Sequence, residues 1–303
     1  MDDAPSLEPS TARPVGSAWT GVLLAVLGFF LFATSDAAIK TLTARYSIFQ
    51  IIATQVAFAT VPLALMVLRA GSWRSLVPLF PRAVAVRGLL AGVGTILVYH
   101  AFGQLPLAEV YAISFCIPIL VTILSIPVLG EKVGVHRWSA VVVGFVGVLV
   151  MIQPSPATLT TGHLAAFLAA CGGAVITMIL RRLAGHERSP ALVLSVVLGL
   201  LVVSLPPALL TSRLPALADL GLMAATGLLM GTAQFVMLQA FRRAPAASVA
   251  PMQYTMMLWA LGYGVALFGD PIRAHVLAGA AVVIASSLYI LHRERVRRGT
   301  RQT

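Results

Sequence analysis

Charged residues are scarce in this chain: they make up 10% of its 303 residues. A soluble domain carries roughly 25%. A surface so poor in charge cannot face water all round, which excludes a soluble enzyme or binding module. Acidic residues are scarcer than basic ones, 10 against 21, and the formal net charge is +11. The basic residues fall between apolar runs rather than on one soluble face, so a nucleic-acid partner is not expected. There are two cysteines, Cys116 and Cys171, both inside apolar runs. That excludes a disulfide framework and reads as packing; no metal site is expected. No glycine-rich loop of the GxxxxGK[ST] type occurs, which argues against direct ATP drive, and no cofactor is expected. Residues 1–18 are polar, acidic and proline-containing, unlike the basic start of a cleavable signal, and read as a disordered cytoplasmic tail.

What is abundant is hydrophobicity, at 59% of residues. Ten apolar runs approach or exceed the ~17–25 residues that cross a bilayer as helix. They lack the strict alternation of a membrane barrel. The expected fold is an all-α integral membrane protein with spans at 19–39, 47–68, 84–102, 107–129, 136–153, 162–182, 190–211, 217–240, 246–268 and 274–292. Trp19, Trp73 and Trp138 fall at or near span ends, where an indole suits the headgroup level. Of the 21 Lys and Arg, only Lys40, Arg45, Arg213 and Arg273 lie on the face opposite the N-terminus. The arginine-rich face should be cytoplasmic, with both termini inside and a basic tail at 293–303.

The chain repeats itself at an offset of 139 residues. AFGQLPLAEVYAISFCIPILVTILSIPVLGE (101–131) returns as AFRRAPAASVAPMQYTMMLWALGYGVALFGD (240–270). Ala101, Phe102, Pro106, Ala108, Val110 and Gly130 are matched by Ala240, Phe241, Pro245, Ala247, Val249 and Gly269. Upstream, Gly88 and Gly92 match Gly227 and Gly231. One unit has been used twice, giving halves at 19–153 and 162–292. Five spans per half is an odd number, so the second half should enter the membrane inverted. Inverted repeats around a central path are typical of secondary transporters.

Span three places Gly88, Gly92, Thr95, Tyr99 and Phe102 on one helical face, and span eight does the same with Gly227, Gly231, Gln234, Leu238 and Phe241. Small residues let helices approach closely. Span four carries Tyr111, Ser114, Phe115, Pro118, Thr122 and Ser125; span nine carries Gln253, Tyr254, Met257 and Gly264. Two readings stand together. Thr95, Tyr99, Tyr111, Ser114, Gln234, Gln253 and Tyr254 line a central cavity, or they pack and bond within their own helices. The four glycines read as packing and hinge positions. Pro118 frees the Ser114 carbonyl and Pro251 that of Ala247, either to meet a substrate or to allow a kink.

Asp36 and Lys40 sit four residues apart, the spacing of an ion pair within a helix. Asp36 otherwise offers a proton site or a substrate-amine site. His100, near the end of span three, is a hydrogen-bonded interfacial histidine or a proton relay. Glu131 and Asp270 are expected to cap turns, and Glu109 to lie at the rim. The scattered ionisable groups do not assemble an enzyme site.

The ten spans, the two halves and the repeated A-F-x-x-x-P-x-A…G-[ED] pattern resemble the drug/metabolite transporter superfamily, specifically its EamA-type exporters, and within it the YddG-like exporters of aromatic amino acids. The resemblance spans about residues 19–292. It implies a basket-like bundle with spans three, four, eight and nine nearest the path. It also implies export of amino acids or related small metabolites, down their gradient or coupled to protons. The neutral deep face argues against phosphorylated substrates, which need cationic groups. A multidrug exporter of lipophilic cations is the alternative, ahead of a membrane enzyme acting on a lipid-linked substrate. The expected partners are a small-molecule substrate and membrane lipid, and a monomer suffices.

Overall fold

The computed structural model describes residues 15–70, 76–130, 135–153, 159–183, 187 and 189–299. Regular structure among them is entirely helical. In hydrocarbon a chain must satisfy its own backbone polar groups, and runs this apolar do so as helices. The order is α1 (Val15–Thr43), α2 (Ile48–Ala70), α3 (Pro81–Gln104), α4 (Leu107–Ser114), α5 (Ile117–Leu129), α6 (Val135–Ile152), α7 (Thr161–Leu183), α8 (Ser189–Thr211) and α9 (Leu217–Arg243). There follow α10 (Ala246–Val249), a 3-10 turn (Ala250–Tyr254), α11 (Thr255–Tyr263), a π-helical turn (Gly264–Phe268) and α12 (Ala274–Gly299). Six segments are long and apolar enough to cross a membrane: Trp19–Thr43, Pro81–Gln104, Leu107–Val128, Thr161–Leu183, Ala191–Thr211 and Leu217–Arg243. Shorter apolar helices lie at Ile48–Val61, Trp138–Met151 and Ala274–Ser286. Val142, Phe145, Val202 and Leu209 point outward and are exposed, as suits a chain whose surroundings are lipid. Trp73, Glu131 and residues 154–158 lie outside the described residues.

Helix packing follows the repeat. The 139-residue offset carries α1 onto α7, α2 onto α8, α3 onto α9 and α6 onto α12. Under that exchange the packed pair α1–α9 becomes α7–α3, and α2–α9 becomes α8–α3; all four are extensive contacts. The pairs α6–α12 and α2–α8 map onto themselves and are packed too. Gly130 ends α5 at φ 67°, and its counterpart Gly269 ends the π-helical turn at φ 64°. Only glycine adopts that left-handed conformation without strain, so both copies close on the same device.

One expected element differs. Residues 107–129 do not form a single helix kinked at Pro118. α4 stops at Ser114, and α5 restarts at Ile117 with Pro118 in its first turn. There the missing N–H is one that no helical carbonyl would have bonded, so breaking the helix avoids the interior penalty of about 3 kcal/mol. Pro118→Ala should therefore leave the melting temperature of the purified protein nearly unchanged. A rise of several degrees would mean that the segment favours a continuous helix. The second copy breaks at the corresponding place by another route, a 3-10 turn with Pro251 near its start.

Hydrogen bonds gather the turns at two ends. At the lightly charged end, Arg45 and Tyr46 meet Asp219 at 3.1 and 2.8 Å. Gln50 exchanges two bonds with the Arg213 backbone there. At the arginine-rich end, the backbone N–H groups of Leu79 and Phe80 donate to Glu187, and Arg182 donates to the Val128 carbonyl.

Candidate functional site

The polar groups at membrane depth gather where α1, α2, α3 and α4 meet. Tyr99 is buried, and its hydroxyl donates to Gln55 Oε1 at 2.5 Å. The Gln55 amide in turn reaches Met230 Sδ of α9 at 3.3 Å. Tyr99 stacks on Phe102, and Phe102 meets Tyr111 edge-on, each pair with ring centroids 6.1 Å apart. The Tyr111 hydroxyl donates to Asp36 Oδ2 at 2.6 Å. The result is a run of aromatic side chains with an amide at one end and a carboxylate at the other.

Asp36 does not pair with Lys40. Lys40 turns to the lightly charged end, where Nζ lies 2.9 Å from the Leu105 carbonyl, 3.2 Å from Asp270 Oδ2 and 4.7 Å from the centre of the Phe268 ring. The reason is the number of partners. The Leu105 carbonyl, the Asp270 carboxylate and the Phe268 ring together hold the ammonium at the helix end, away from the acid one turn before it. Asp36 keeps only a neutral donor, Tyr111, among the described residues. Asp270 is consequently an ion-pair partner across the halves rather than a side-chain cap of its own turn.

The other candidates are dispersed. Thr95 and Ser114 donate their hydroxyls to the carbonyls of Ala91 and Val110, inside their own helices. Tyr254 packs edge-on against Phe115 with ring centroids 5.0 Å apart. These two positions are counterparts under the repeat, so the pair straddles the two helix breaks. Gln253 is half-buried and Gln234 exposed. Pro118 and Pro251 each sit beside the break of their own span. His100 lies at the lightly charged end, bonded to Thr161 and Gln104 at 3.1 and 2.9 Å. Glu109 faces His163 there at 3.6 Å. A Cβ on Gly88 would strike the Ser195 carbonyl, one on Gly227 the Gln55 carbonyl, and one on Gly92 would come within 2.6 Å of the Gly199 carbonyl. Gly231 is buried on α9. Cys116 and Cys171 are free thiols, and the described residues contain no cluster able to hold a metal ion.

Three participants escape the sequence patterns: Gln55, Thr34 and Tyr263. Thr34 of α1 and Tyr263 of α11 share a hydrogen bond of 2.6 Å, one turn beyond the contact between Phe30 and Trp259. A mid-run amide in span two was the available signal for Gln55. Tyr263 offered none beyond its spacing from Trp259.

The two stripes are not buried alike. The stripe of α3 ends in Tyr99 and Phe102, and Phe102 is 1% exposed. The corresponding stripe of α9 ends in Leu238 and Phe241, and Phe241 is 47% exposed. Phe102 is covered by its neighbours, whereas Phe241 points outward from a stretch whose Met237, Ala240 and Ala244 are buried against α1.

Comparison with known proteins decides the family. The profile of the EamA-like transporter family matches residues 19–153 and again 160–292. The chain belongs to the EamA-like transporter family. Among its relatives is the S-adenosylmethionine uptake transporter of Rickettsia bellii, 26% identical over 274 residues, covering 89% of this chain and 94% of that one. The riboflavin transporter of Rhizobium johnstonii is 26% identical over 223 residues, covering 73% and 71%. The pseudopaline exporter of Pseudomonas aeruginosa is 24% identical over 273 residues, covering 89% and 95%. A crystal structure at 17% identity superposes with a TM-score of 0.61 over 90% of this chain and 96% of the other, and so shares its fold. This is a multi-pass helical membrane protein of a family that carries small molecules.

Proposed function

We propose that the protein is a secondary transporter that exports amino acids, aromatic or otherwise neutral, and related small metabolites across the bacterial inner membrane. In this reading ten spans form two inverted five-helix halves, 19–153 and 162–292, and both termini are cytoplasmic. The exchange of helix pairs under the repeat supports the inverted halves. The concentration of Lys and Arg at one end supports the orientation. The arginine-rich end then faces the cytoplasm, and alternating access consists of the two halves exchanging conformations. The relatives named above include an uptake transporter as well as an exporter. Export is the downhill direction for a solute made in the cell.

One observation carries the substrate class: among the described residues no cation meets the Asp36 carboxylate. A carboxylate at membrane depth is costly unless a proton or another positive charge meets it. A substrate ammonium does so, with Tyr99, Phe102 and Tyr111 supplying apolar and cation–π surface for the rest of the molecule. Beyond Tyr111, past the helix break, the N-terminal end of α5 begins at Ile117. Such an end favours negative charge and suits the carboxylate of a zwitterion. The same carboxylate and rings also fit a lipophilic cation without a carboxylate, which keeps multidrug export as the second reading.

The test is counterflow in proteoliposomes with radiolabelled L-phenylalanine and L-methionine against tetraphenylphosphonium, with and without a pH gradient. Saturable, competable flux of the amino acids is expected. Leakage equal to that of empty vesicles for every probe rejects the transport reading. Flux of tetraphenylphosphonium alone moves the assignment to multidrug export.

A further inference from the structure

The most unusual feature of the molecule is that Lys40 ignores the acid one turn below it. We infer that Lys40 is an internal competitor for Asp36: it exchanges between Asp270, where it ties the lightly charged end shut, and Asp36, where it displaces a bound amine as that end opens. This rests on the reading of Asp36 as the amine site.

The geometry supplies each part. Asp36 and Lys40 lie on one face of α1, at a spacing that brings side chains together. A lysine carries a point charge on a flexible stem with three donors, so moving between two acids asks only for rotations of that stem. In its present position Lys40 joins three separate pieces of chain: α1 itself, the Leu105 carbonyl between α3 and α4, and Asp270 after the π-helical turn. Asp270 belongs to the second half of the repeat and Leu105 to the first. The ammonium therefore links the halves, and Phe268 covers it from above. Removing Lys40 from this place unties the link and leaves Asp270 without its cation.

Asp36 meanwhile faces Tyr111, a donor without charge. Lys40 and a substrate ammonium are the same kind of ligand for it, and both cannot hold it fully. Binding of one must oppose binding of the other, and the linkage is reciprocal. A bound amine therefore favours Lys40 on Asp270, with the lightly charged end closed. Transfer of Lys40 to Asp36 opens that end and expels the amine towards it. Affinity is high in one state and low in the other, which is what release on the far side requires.

The test uses the full-length protein with Cys116→Ala and Cys171→Ala. One arm measures binding of L-phenylalanine in detergent. Asp270→Asn should weaken it by about tenfold, because Lys40 then settles on Asp36. Adding Lys40→Met should restore it, since the competitor is gone. A purely structural tie predicts no such rescue. If Asp270→Asn binds as the parent does, or the double variant binds no better than Asp270→Asn, the competition is wrong.

The second arm reads distances between spin labels on Gly103→Cys and Ile272→Cys, both at exposed positions at the lightly charged end. Asp270→Asn should lose the short-distance population and Asp36→Asn should keep it. Retention of the short distance in Asp270→Asn overturns the tie. If the parent binds no amine at all, the amine reading of Asp36 fails, while the distance arm still judges the tie.

Discussion

Asp36→Asn should cost the transporter its affinity for amine-bearing substrates, by roughly 10–150-fold, while leaving the protein folded. The magnitude follows from what is removed. A hydrogen bond to a charged group contributes about 1.5–3 kcal/mol, against about 0.5–1.5 for a neutral one. Asparagine keeps the shape of the side chain and a carbonyl oxygen, so the Tyr111 hydroxyl, now 2.6 Å from Asp36 Oδ2, retains its acceptor. Lys40 is already engaged elsewhere, so no buried cation is orphaned. Thermal stability should therefore stay close to the parent's as the half-saturating concentration in counterflow rises. Tyr111→Phe separates orientation from charge. It removes the one donor to this carboxylate among the described residues but leaves the charge in place, so affinity should fall less than in Asp36→Asn. An Asp36→Asn protein with parental affinity for L-phenylalanine would show that no substrate cation reaches this carboxylate.

The sequence made the helices legible because lipid leaves an apolar run of span length no other way to satisfy its backbone. It made the repeat legible because a fixed offset survives where individual residues have changed. The Gly130–Gly269 pair shows this well: both positions need a left-handed residue, and neither copy could lose it cheaply. Side-chain partnerships were less legible. The spacing of Asp36 and Lys40 is a local signal. The contact that beats it joins residues 230 positions apart and depends on where α3, α4 and the π-helical turn end up. Pro118 announced a disturbance in span four, but not that the chain would break at Phe115–Cys116 and set the proline in a new first turn. Gln234 illustrates the limit of periodicity. It belongs to the same stripe as Gly227 and Gly231 yet is exposed, while Ala233, Met237 and Ala240 of the same helix are buried. A helical wheel ranks faces; it does not know which of them the neighbouring helices will cover.

The largest loss of folded protein should come from widening the seam between α3 and α8. Gly88 and Gly199 face each other there, and a Cβ on either would strike backbone of the opposite helix: the Ser195 carbonyl from Gly88, and the Gly88 carbonyl from Gly199. Side-chain tips can rotate away from an intruder, but a helix backbone cannot, so the helices must separate. Within the membrane, association rests on close van der Waals packing rather than on exclusion of water, and small residues are what permits it. Overpacking typically costs about 1–3 kcal/mol where side chains can adjust; backbone against backbone should sit at or above the upper limit. The same seam holds Arg87, whose guanidinium donates to the Leu192 carbonyl at 2.5 Å and to Ser195 Oγ at 2.8 Å, and separation would strip a cation of both acceptors. Gly199→Leu should therefore give little monodisperse protein after detergent extraction. Gly94→Leu, on the same α3 helix with open space around its added Cβ, should behave like the parent. Equal yields and melting temperatures for the two variants would mean that the α3–α8 seam is not where this bundle is held together.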